Sequence, residues 1–336
     1  MTVRKLEKNE AKQQALPTRD GFGKGLLELG AKDKNVVVLS ADLTDSTRAA
    51  WFRDAYPDRF LGFGVAEQDM FGAAAGLALL GKIPFACTFG VFASGRAWDQ
   101  IRISLAYMNL NVKIGGTHGG ISVGPDGATH QALEEITLMR MLPNMTIVVP
   151  CDAVAAKKAT LAAAALKGPV YIRLGRSAVP VITRENDFFK IGKANVLNKG
   201  DDITVFACGQ VVYEALAAAK ILKKEGIEAR VINLHTPKPI DRSAIIKAAR
   251  ETGAIVTVEE HTLYGGFGSA IAEVVIEKCP VIMKMIGVKD TFGESGEPEE
   301  LFEHFGLTAK HIVQAARQAI KEKRPRLPER PRKKRK

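Results

Sequence analysis

The stretch GFGVAEQDMFGAAAG, residues 62–76, decides the fold because it opens a helical pattern that joins two buried strand patterns. It places one carboxylate, Glu67, in a run of Gly, Ala, Val, Phe and Met. An ionised carboxylate is costly to bury among small and apolar residues, so Glu67 requires an explanation. On either side lie the apolar runs NVVVLSAD (35–42) and KIPFACTF (82–89), and this strand–helix–strand order predicts a parallel sheet.

The same alternation continues along the first half of the chain. Further strand patterns are NVKIGG (111–116), MTIVVP (145–150) and VYIRL (170–174). The helical patterns are QDMFGAAAGLALLG, GRAWDQIRISLAYM, HQALEEITLMRML and DAVAAKKATLAAAAL. This order predicts a parallel sheet with helices on both faces.

After RSAVPVITRENDFFKIGKANVLNKGDD (176–202), a stretch without clear period, the alternation begins again, and the two halves join near residues 177–192. The strand patterns there are ITVFACG (203–209), EARVINL (228–234), AIVTVEEH (254–261) and VIMKMIG (281–287). A chain of 336 residues is also too long for one ordinary core. We therefore predict an α/β protein of two domains, each a mostly parallel sheet flanked by helices, at residues 15–180 and 192–322.

The net charge of +11 belongs mostly to one end of the chain. The last sixteen residues, KEKRPRLPERPRKKRK, hold ten Lys or Arg and two Glu. We predict that residues 323–336 form a disordered basic tail, which could attract nucleic acid only non-specifically. The charge of the remaining chain does not indicate a nucleic-acid-binding protein.

The composition also bears on location and on metal sites. The amino end, MTVRKLEKNEAKQQ, lacks the apolar core of a signal peptide, and no apolar run approaches the length of a membrane span. The four cysteines stand far apart with no CxxC pair, which argues against a zinc site or disulfides. These features predict a cytoplasmic protein that binds no metal through its own residues.

Polar and aromatic residues follow the predicted strands at the edge where parallel sheets bind ligands. They are Asp42, Ser46, Phe89, Phe92, His118, Asp126, His130, Arg173 and Arg176. Each has a structural alternative when taken singly. Glu67 could be stabilised by the dipole of its own helix, the aromatic residues could be core, and a lone Arg or His is usually structural. The spacing of the two histidines does not suit a zinc pair.

Two segments together resemble a known family. GFGVAEQDMFGAAAGLALLGKIPFACTFGVF, followed by THGGISVGPDGATHQALEEITLMRMLPNMTIVVPCD, resembles the pyrimidine-binding domain of transketolases. ITVFACGQVVYEALAAAKIL and VTVEEHTLYGGFGSAIAEVV resemble the transketolase carboxy-terminal domain. The combination of VAEQ with DGATHQ is typical of thiamine-diphosphate enzymes, and the resemblance covers about residues 15–322.

The resemblance implies a role for the buried carboxylate. In this family the matching glutamate hydrogen-bonds N1′ of the coenzyme's aminopyrimidine and promotes the tautomer that removes the thiazolium C2 proton. Apolar surroundings favour the protonated carboxyl that this role needs. Phe89 and Phe92 match aromatic residues of the pyrimidine pocket, and Asp42 matches an aspartate near the coenzyme.

The resemblance also implies the contacts to substrate. Arg19, Ser46, His118 and Arg176 match residues that hold a sugar phosphate. Asp126 matches a residue that contacts a sugar hydroxyl. His130 matches a histidine beside the reacting carbonyl, able to stabilise a developing alkoxide or relay a proton.

One part of a complete transketolase has no counterpart here. The family's GDG motif and its following Asn, which hold Mg²⁺ and the diphosphate, are absent from the sequence, where GDD (200–202) and PDG (125–127) lie in other contexts. We therefore predict half of a split transketolase, inactive alone. A separate amino-terminal subunit would hold most of the Mg²⁺ ligands, in an α2β2 assembly.

Other functions remain open from the sequence. A 1-deoxyxylulose-5-phosphate synthase shares the AEQ and DGxTHQ elements but has Arg where this chain has His118. A β subunit of a pyruvate-dehydrogenase-type enzyme shares the split layout but lacks the phosphate-binding set. A non-catalytic scaffold that acts through its basic tail is the third possibility. His235 and His261 receive no role and are interpreted as structural.

Overall fold

A computed structural model describes residues 14–323 of the chain. The basic tail predicted at 323–336 lies outside the described residues except for its first position. The described chain forms two sheets of mostly parallel strands, one after the other along the sequence, and helices cover them. This confirms the predicted α/β fold.

The first sheet has six strands, all parallel, in the order β3-β2-β4-β5-β7-β6. Its strands are β2 (Val36–Ser40), β3 (Phe60–Gly62), β4 (Ile83–Phe89), β5 (Lys113–Thr117), β6 (Thr146–Val148) and β7 (Val170–Arg173). Two short strands, β1 (Ala15–Pro17) and β8 (Ala178–Pro180), form a separate antiparallel pair. Because the six strands are parallel, the loops after β2, β4, β5 and β7 meet at one edge.

Helices cover both faces of the first sheet. They span Thr18–Lys32, Ala49–Ala55, Glu67–Leu79, Trp98–Gln100, Glu135–Arg140 and Ala153–Ala165, with π-helical turns at Phe92–Arg96 and Ile101–Tyr107. The helix Ala153–Ala165 begins after Asp152, whose Oδ1 accepts the N–H of Ala155 at 2.8 Å. It packs against Thr18–Lys32 at Gly21, where an added Cβ would lie 1.9 Å from the Ala153 carbonyl oxygen.

The second sheet has five strands in the order β13-β12-β10-β11-β9. They are β9 (Asn195–Asn198), β10 (Ile203–Ala207), β11 (Ala229–Asn233), β12 (Ala254–Thr262) and β13 (Ile282–Val288), and only β9 is antiparallel to its neighbour. Helices span Val212–Lys224, Arg242–Thr252, Phe267–Lys278, Pro298–His304 and Ala309–Glu322. Across residues 14–323, none of the helices combines the length and apolar character that crossing a bilayer requires.

Two segments differ from the sequence prediction. The helical pattern HQALEEITLMRML gives a helix only at Glu135–Arg140. Ala132 instead forms a bridge with Gly119, and the side-chain amide of Gln131 donates to the carbonyl oxygens of Ile121 and Glu294. The aperiodic stretch after Arg176 contains β8 and β9, which are short edge strands without a long buried run.

Candidate active site

Glu67 is the first residue of the helix Glu67–Leu79, and its side chain is 1% exposed. Its Oε2 lies 2.8 Å from Nη1 of Arg96, whose side chain is 45% exposed. Its Oε1 is buried and has no hydrogen-bond partner among residues 14–323. The carboxylate therefore has one paired oxygen and one open acceptor.

Arg96 changes the environment that the sequence predicted for Glu67. The flanking residues are small and apolar as expected, but a guanidinium from the turn after β4 also donates a hydrogen bond to the carboxylate at 2.8 Å. The sequence analysis did not include this guanidinium among the neighbours of Glu67. The two residues stand 29 positions apart, so no local spacing signals their contact.

Phe89 and Phe92 form a pair of nearly parallel rings beside this carboxylate. Phe89 ends β4 and Phe92 begins the following π-helical turn, and their ring centroids lie 5.9 Å apart with 13° between the planes. The guanidinium carbon of Arg96 lies 4.6 Å from the centroid of the Phe92 ring. Arg96 therefore links the two rings to Glu67, because it covers the Phe92 ring and pairs with the carboxylate.

His118 follows β5 and packs on the other side of Phe89. The two ring centroids are 3.7 Å apart, and His118 Nδ1 lies 2.9 Å from Thr117 Oγ1. Its backbone has a φ of 58°, a left-handed conformation that is uncommon for histidine and often found at functional positions. Burial, and then the charge of Arg19, lowers the pKa of His118 to about 3, so its imidazole is neutral at physiological pH.

Arg19 lies in the first turn of the helix Thr18–Lys32 and faces His118. Its Nη1 donates to the Ser46 carbonyl oxygen at 2.9 Å and lies 3.3 Å from His118 Nε2. Burial, and then the charge of Arg48, lowers the pKa of Arg19 to about 10, so the guanidinium remains charged at neutral pH. Its buried Nε has no hydrogen-bond partner within the described chain. The group is therefore a cation with an unused donor.

Arg176 lies in the loop between β7 and β8. Its Nη1 donates to the Val123 carbonyl oxygen at 2.6 Å and to Asp126 Oδ1 at 3.1 Å. Its charge contributes to the lowered pKa of both Arg19 and His118, which places these groups in one electrostatic neighbourhood. Several guanidiniums around a neutral imidazole can bind a doubly charged anion such as a phosphate.

The remaining candidates, His130 and Asp42, make fewer contacts with the other candidate residues. His130 is half-buried; its ring meets Phe92 edge-on at 5.6 Å, and its Nδ1 lies 2.9 Å from Thr129 Oγ1. Asp42 follows β2 with a φ of 56° and is exposed, with no side-chain hydrogen bond to the described residues. Across that same part of the chain, no three His, Cys, Asp or Glu side chains are arranged to hold a metal ion.

Arg173 is separated from this site and belongs to a buried ionic cluster between the two sheets. Its Nε donates to Glu135 Oε1 and its Nη2 donates to the Glu260 carbonyl oxygen at 2.7 Å. Burial alone would lower the pKa of Arg173, but the carboxylates of Glu135 and Glu260 raise it. His261 lies 3.7 Å from both Glu135 and Glu259, and burial lowers its pKa. The sequence did not indicate this cluster.

His235 is fully buried in the second domain. It stacks on Phe189 with ring centroids 4.3 Å apart, and its Nε2 lies 3.1 Å from the Lys190 carbonyl oxygen. Burial lowers the pKa of His235 to about 4, so the ring is neutral.

Comparisons with known proteins agree with the fold. The profile described as "Transketolase, pyrimidine binding domain" matches residues 14–181, and that of "Transketolase, C-terminal domain" matches residues 192–312. A protein of Methanocaldococcus jannaschii named as a transketolase C-terminal section is 46% identical over 306 residues, which cover 90% of this chain and 96% of that protein.

Two further relatives carry names that describe part of an assembly. The 6-deoxy-6-sulfo-D-fructose transketolase subunit SqwH of a Clostridium species is 46% identical over 91% of this chain and 95% of its own length. A solved structure described as a split gene transketolase, inactive beta4 tetramer, is 49% identical and superposes with a TM-score of 0.87. It covers 92% of this chain and 100% of its own.

Proposed function

The chain belongs to the transketolase family, and from this premise we propose that it is the carboxy-terminal subunit of a split transketolase. With a separate amino-terminal subunit, it transfers a two-carbon ketol unit from a ketose phosphate to an aldose phosphate. Support comes from relatives of nearly the same length that are named as a section, a subunit and a split-gene product. The resemblance to transketolase in the sequence is confirmed by these comparisons.

The observation that carries the proposal is the buried, half-paired carboxylate of Glu67 beside parallel aromatic rings. The family's domains imply dependence on thiamine diphosphate. The open Oε1 of Glu67 fits an N–H donor of an aminopyrimidine, and Phe89 and Phe92 supply flat apolar walls. Asp42 would contact the coenzyme at the edge of the same sheet. When bound, this coenzyme supplies the carbon nucleophile for cleavage next to a ketose carbonyl.

Glu67 would hold and return one proton at Oε1. Because Oε2 is paired with Arg96, the open Oε1 is the atom at which a proton can be shared with a bound ring nitrogen. The surrounding apolar side chains exclude water and strengthen this hydrogen bond. The residues of this chain thereby supply the acid–base group and the shape of one pocket wall.

The cationic group beside the rings would hold the sugar phosphate. Arg19 and Arg176 supply charge-assisted hydrogen bonds, and Ser46 and the neutral His118 supply uncharged ones. Asp126 would bind a sugar hydroxyl. His130, oriented at Nδ1 by Thr129, would donate or accept a proton through Nε2 at the reacting carbonyl oxygen.

The assembly completes the proposed enzyme. The amino-terminal subunit would carry the diphosphate-binding domain and most of the Mg²⁺ ligands, and self-association would give an α2β2 complex. We place the coenzyme-activating domain at 15–180 and the second domain at 192–322. We also propose a cytoplasmic enzyme of the pentose phosphate pathway, a location supported by four free cysteines in the described chain.

A substrate comparison tests the proposed function. The chain is mixed with its amino-terminal subunit, thiamine diphosphate and Mg²⁺, and xylulose 5-phosphate is offered with ribose 5-phosphate. We expect ketol transfer from this donor. When pyruvate is offered instead, we expect none to be consumed, whereas a synthase or a dehydrogenase subunit would use it. Pyruvate as the only donor accepted would contradict the proposal, and so would RNA binding as the only measurable property.

The phosphate contacts give a second prediction. Arg176→Ala removes one guanidinium that binds substrate and transition state alike, so KM for phosphorylated sugars should rise while kcat changes little. The loss of one charge-assisted contact corresponds to an increase in KM of roughly ten- to a hundredfold. Arg317→Ala serves as the control. Arg317 lies in the last helix, and the substitution breaks its surface ion pair with Glu225. An unaltered KM in Arg176→Ala would remove Arg176 from the site.

A further inference from the structure

The loop after β5 carries His118, Asp126 and His130 and lies directly against strand β12 of the second sheet. The side chain that contacts it is Glu260, which is 2% exposed. Its Oε1 accepts the backbone N–H of Ser122 at 2.6 Å. A carboxylate of one domain thus holds the backbone of a loop that belongs to the other.

The buried cluster fixes Glu260 in turn. The Glu260 carbonyl oxygen accepts a hydrogen bond from Arg173 at 2.7 Å, and its Oε2 lies 3.9 Å from Arg173 Nη1. Arg173 is itself paired with Glu135. Because all three side chains are buried, their mutual attraction is weakly screened and their geometry is rigid.

The contact at Ser122 continues to the phosphate-binding group. The Ser122 carbonyl oxygen accepts the hydroxyl of Ser177 at 2.6 Å. The next carbonyl, that of Val123, accepts Nη1 of Arg176 at 2.6 Å. The two consecutive residues Ser122 and Val123 therefore connect Glu260 to the segment that bears Arg176.

Two glycines allow this close approach. Gly120 has a φ of 86°, and a Cβ at this position would lie 2.4 Å from the carboxyl carbon of Glu260. A Cβ on Gly119 would lie 2.8 Å from Arg173 Nε. The backbone that follows His118 is thus packed against the ionic cluster without room for a side chain.

We propose that Glu260 is a positioning residue for substrate phosphate, acting from the second domain through Ser122 on the loop of His118 and on Arg176. This inference rests on the proposed function, and it gives the carboxy-terminal domain an indirect part in substrate binding, through the loop that it holds. Glu260 touches neither substrate nor coenzyme. Its effect is to fix the positions of the hydrogen-bond donors in the proposed phosphate site.

The neighbouring residue offers a matched control. Glu259 lies on the same strand and is also buried, but successive side chains of a strand point to opposite faces. Its carboxylate accepts the N–H groups of Phe267 and Gly268 at 2.6 and 2.8 Å, at the start of the helix Phe267–Lys278. Glu259→Gln therefore perturbs a buried carboxylate of the same domain without touching the Ser122 contact.

The test compares Glu260→Gln with Glu259→Gln in the assembled enzyme. For Glu260→Gln we expect KM for ribose 5-phosphate to rise about tenfold, the order expected for one charge-assisted hydrogen bond, with kcat changed less than KM. Glu259→Gln should lower the melting temperature and leave this KM unchanged. Ser177→Ala, a milder change at the same carbonyl, should raise KM about two- to threefold.

A second measurement uses the full chain without substrate. Hydrogen exchange of peptides covering residues 118–127 should be faster in Glu260→Gln than in the wild type or in Glu259→Gln. The proposal is overturned if Glu260→Gln leaves both KM and loop exchange at wild-type values, or if both Gln variants change them equally. If the wild-type assembly transfers no ketol unit, the proposed function fails, whereas loop exchange still decides whether Glu260 anchors the loop.

Discussion

Glu67→Gln is expected to fold and to bind the amino-terminal subunit, but to transfer ketol units roughly a hundred- to ten-thousandfold more slowly, the range of acid–base contributions to catalysis. Gln has the size of Glu and can remain at the start of its helix. It cannot exchange a proton at Oε1, the buried oxygen that has no partner within residues 14–323. Coenzyme binding should weaken as well, because the amide cannot share a proton with the coenzyme as a carboxyl group can.

Asp69→Asn is the matched control for Glu67→Gln. Asp69 lies in the same first helical turn and is exposed, so it shares the favourable position near the helix dipole but not the pocket. If Glu67 served only that dipole, both variants would lose a few tenths to about 1 kcal/mol of stability and neither would lose turnover. Near-normal turnover in Glu67→Gln, measured at saturating coenzyme, would contradict the assigned role.

Most of the parallel strands were predictable because each is an apolar run bounded by turns, whereas the short and partly exposed β3 was not predicted. The patterns at 35–42 and 82–89 contain β2 and β4, and the structure shifts their ends by only a few residues. The helix Thr18–Lys32 gave no such signal, because four glycines interrupt its apolar pattern. Those glycines serve packing: an added Cβ on Gly23 would lie 2.7 Å from the Trp51 ring, and one on Gly25 would lie 2.7 Å from Thr160.

The candidate site was predictable to the extent that strand ends and family resemblance define it. The structure brings Arg19, Ser46 and His118 into contact and stacks His118 on Phe89, although nothing in their spacing required it. The partners that the sequence did not indicate are set by tertiary contacts. Arg96 meets Glu67 across 29 positions, and Glu260 meets Ser122 across 138.

The lone chain is expected to transfer no ketol unit, and addition of the amino-terminal subunit is expected to create the activity. In the proposed enzyme this chain supplies one wall of the pocket, with Glu67 as the acid–base group, two aromatic rings and a cluster of residues that would bind phosphate. One oxygen of Glu67 lacks a partner within this wall. In the proposed assembly the amino-terminal subunit binds the coenzyme's diphosphate and supplies most of the ligands of its metal ion.

Titration of a fixed amount of this chain with its partner, in the presence of thiamine diphosphate and Mg²⁺, measures that dependence. Activity should start at background and saturate at one partner per chain. A chain carrying Glu67→Gln should compete for the partner and lower the activity in proportion, because it assembles into sites that lack the acid–base group. Full turnover by the purified chain alone would show that the pocket is complete without a second subunit, and the division of the site proposed here would then be wrong.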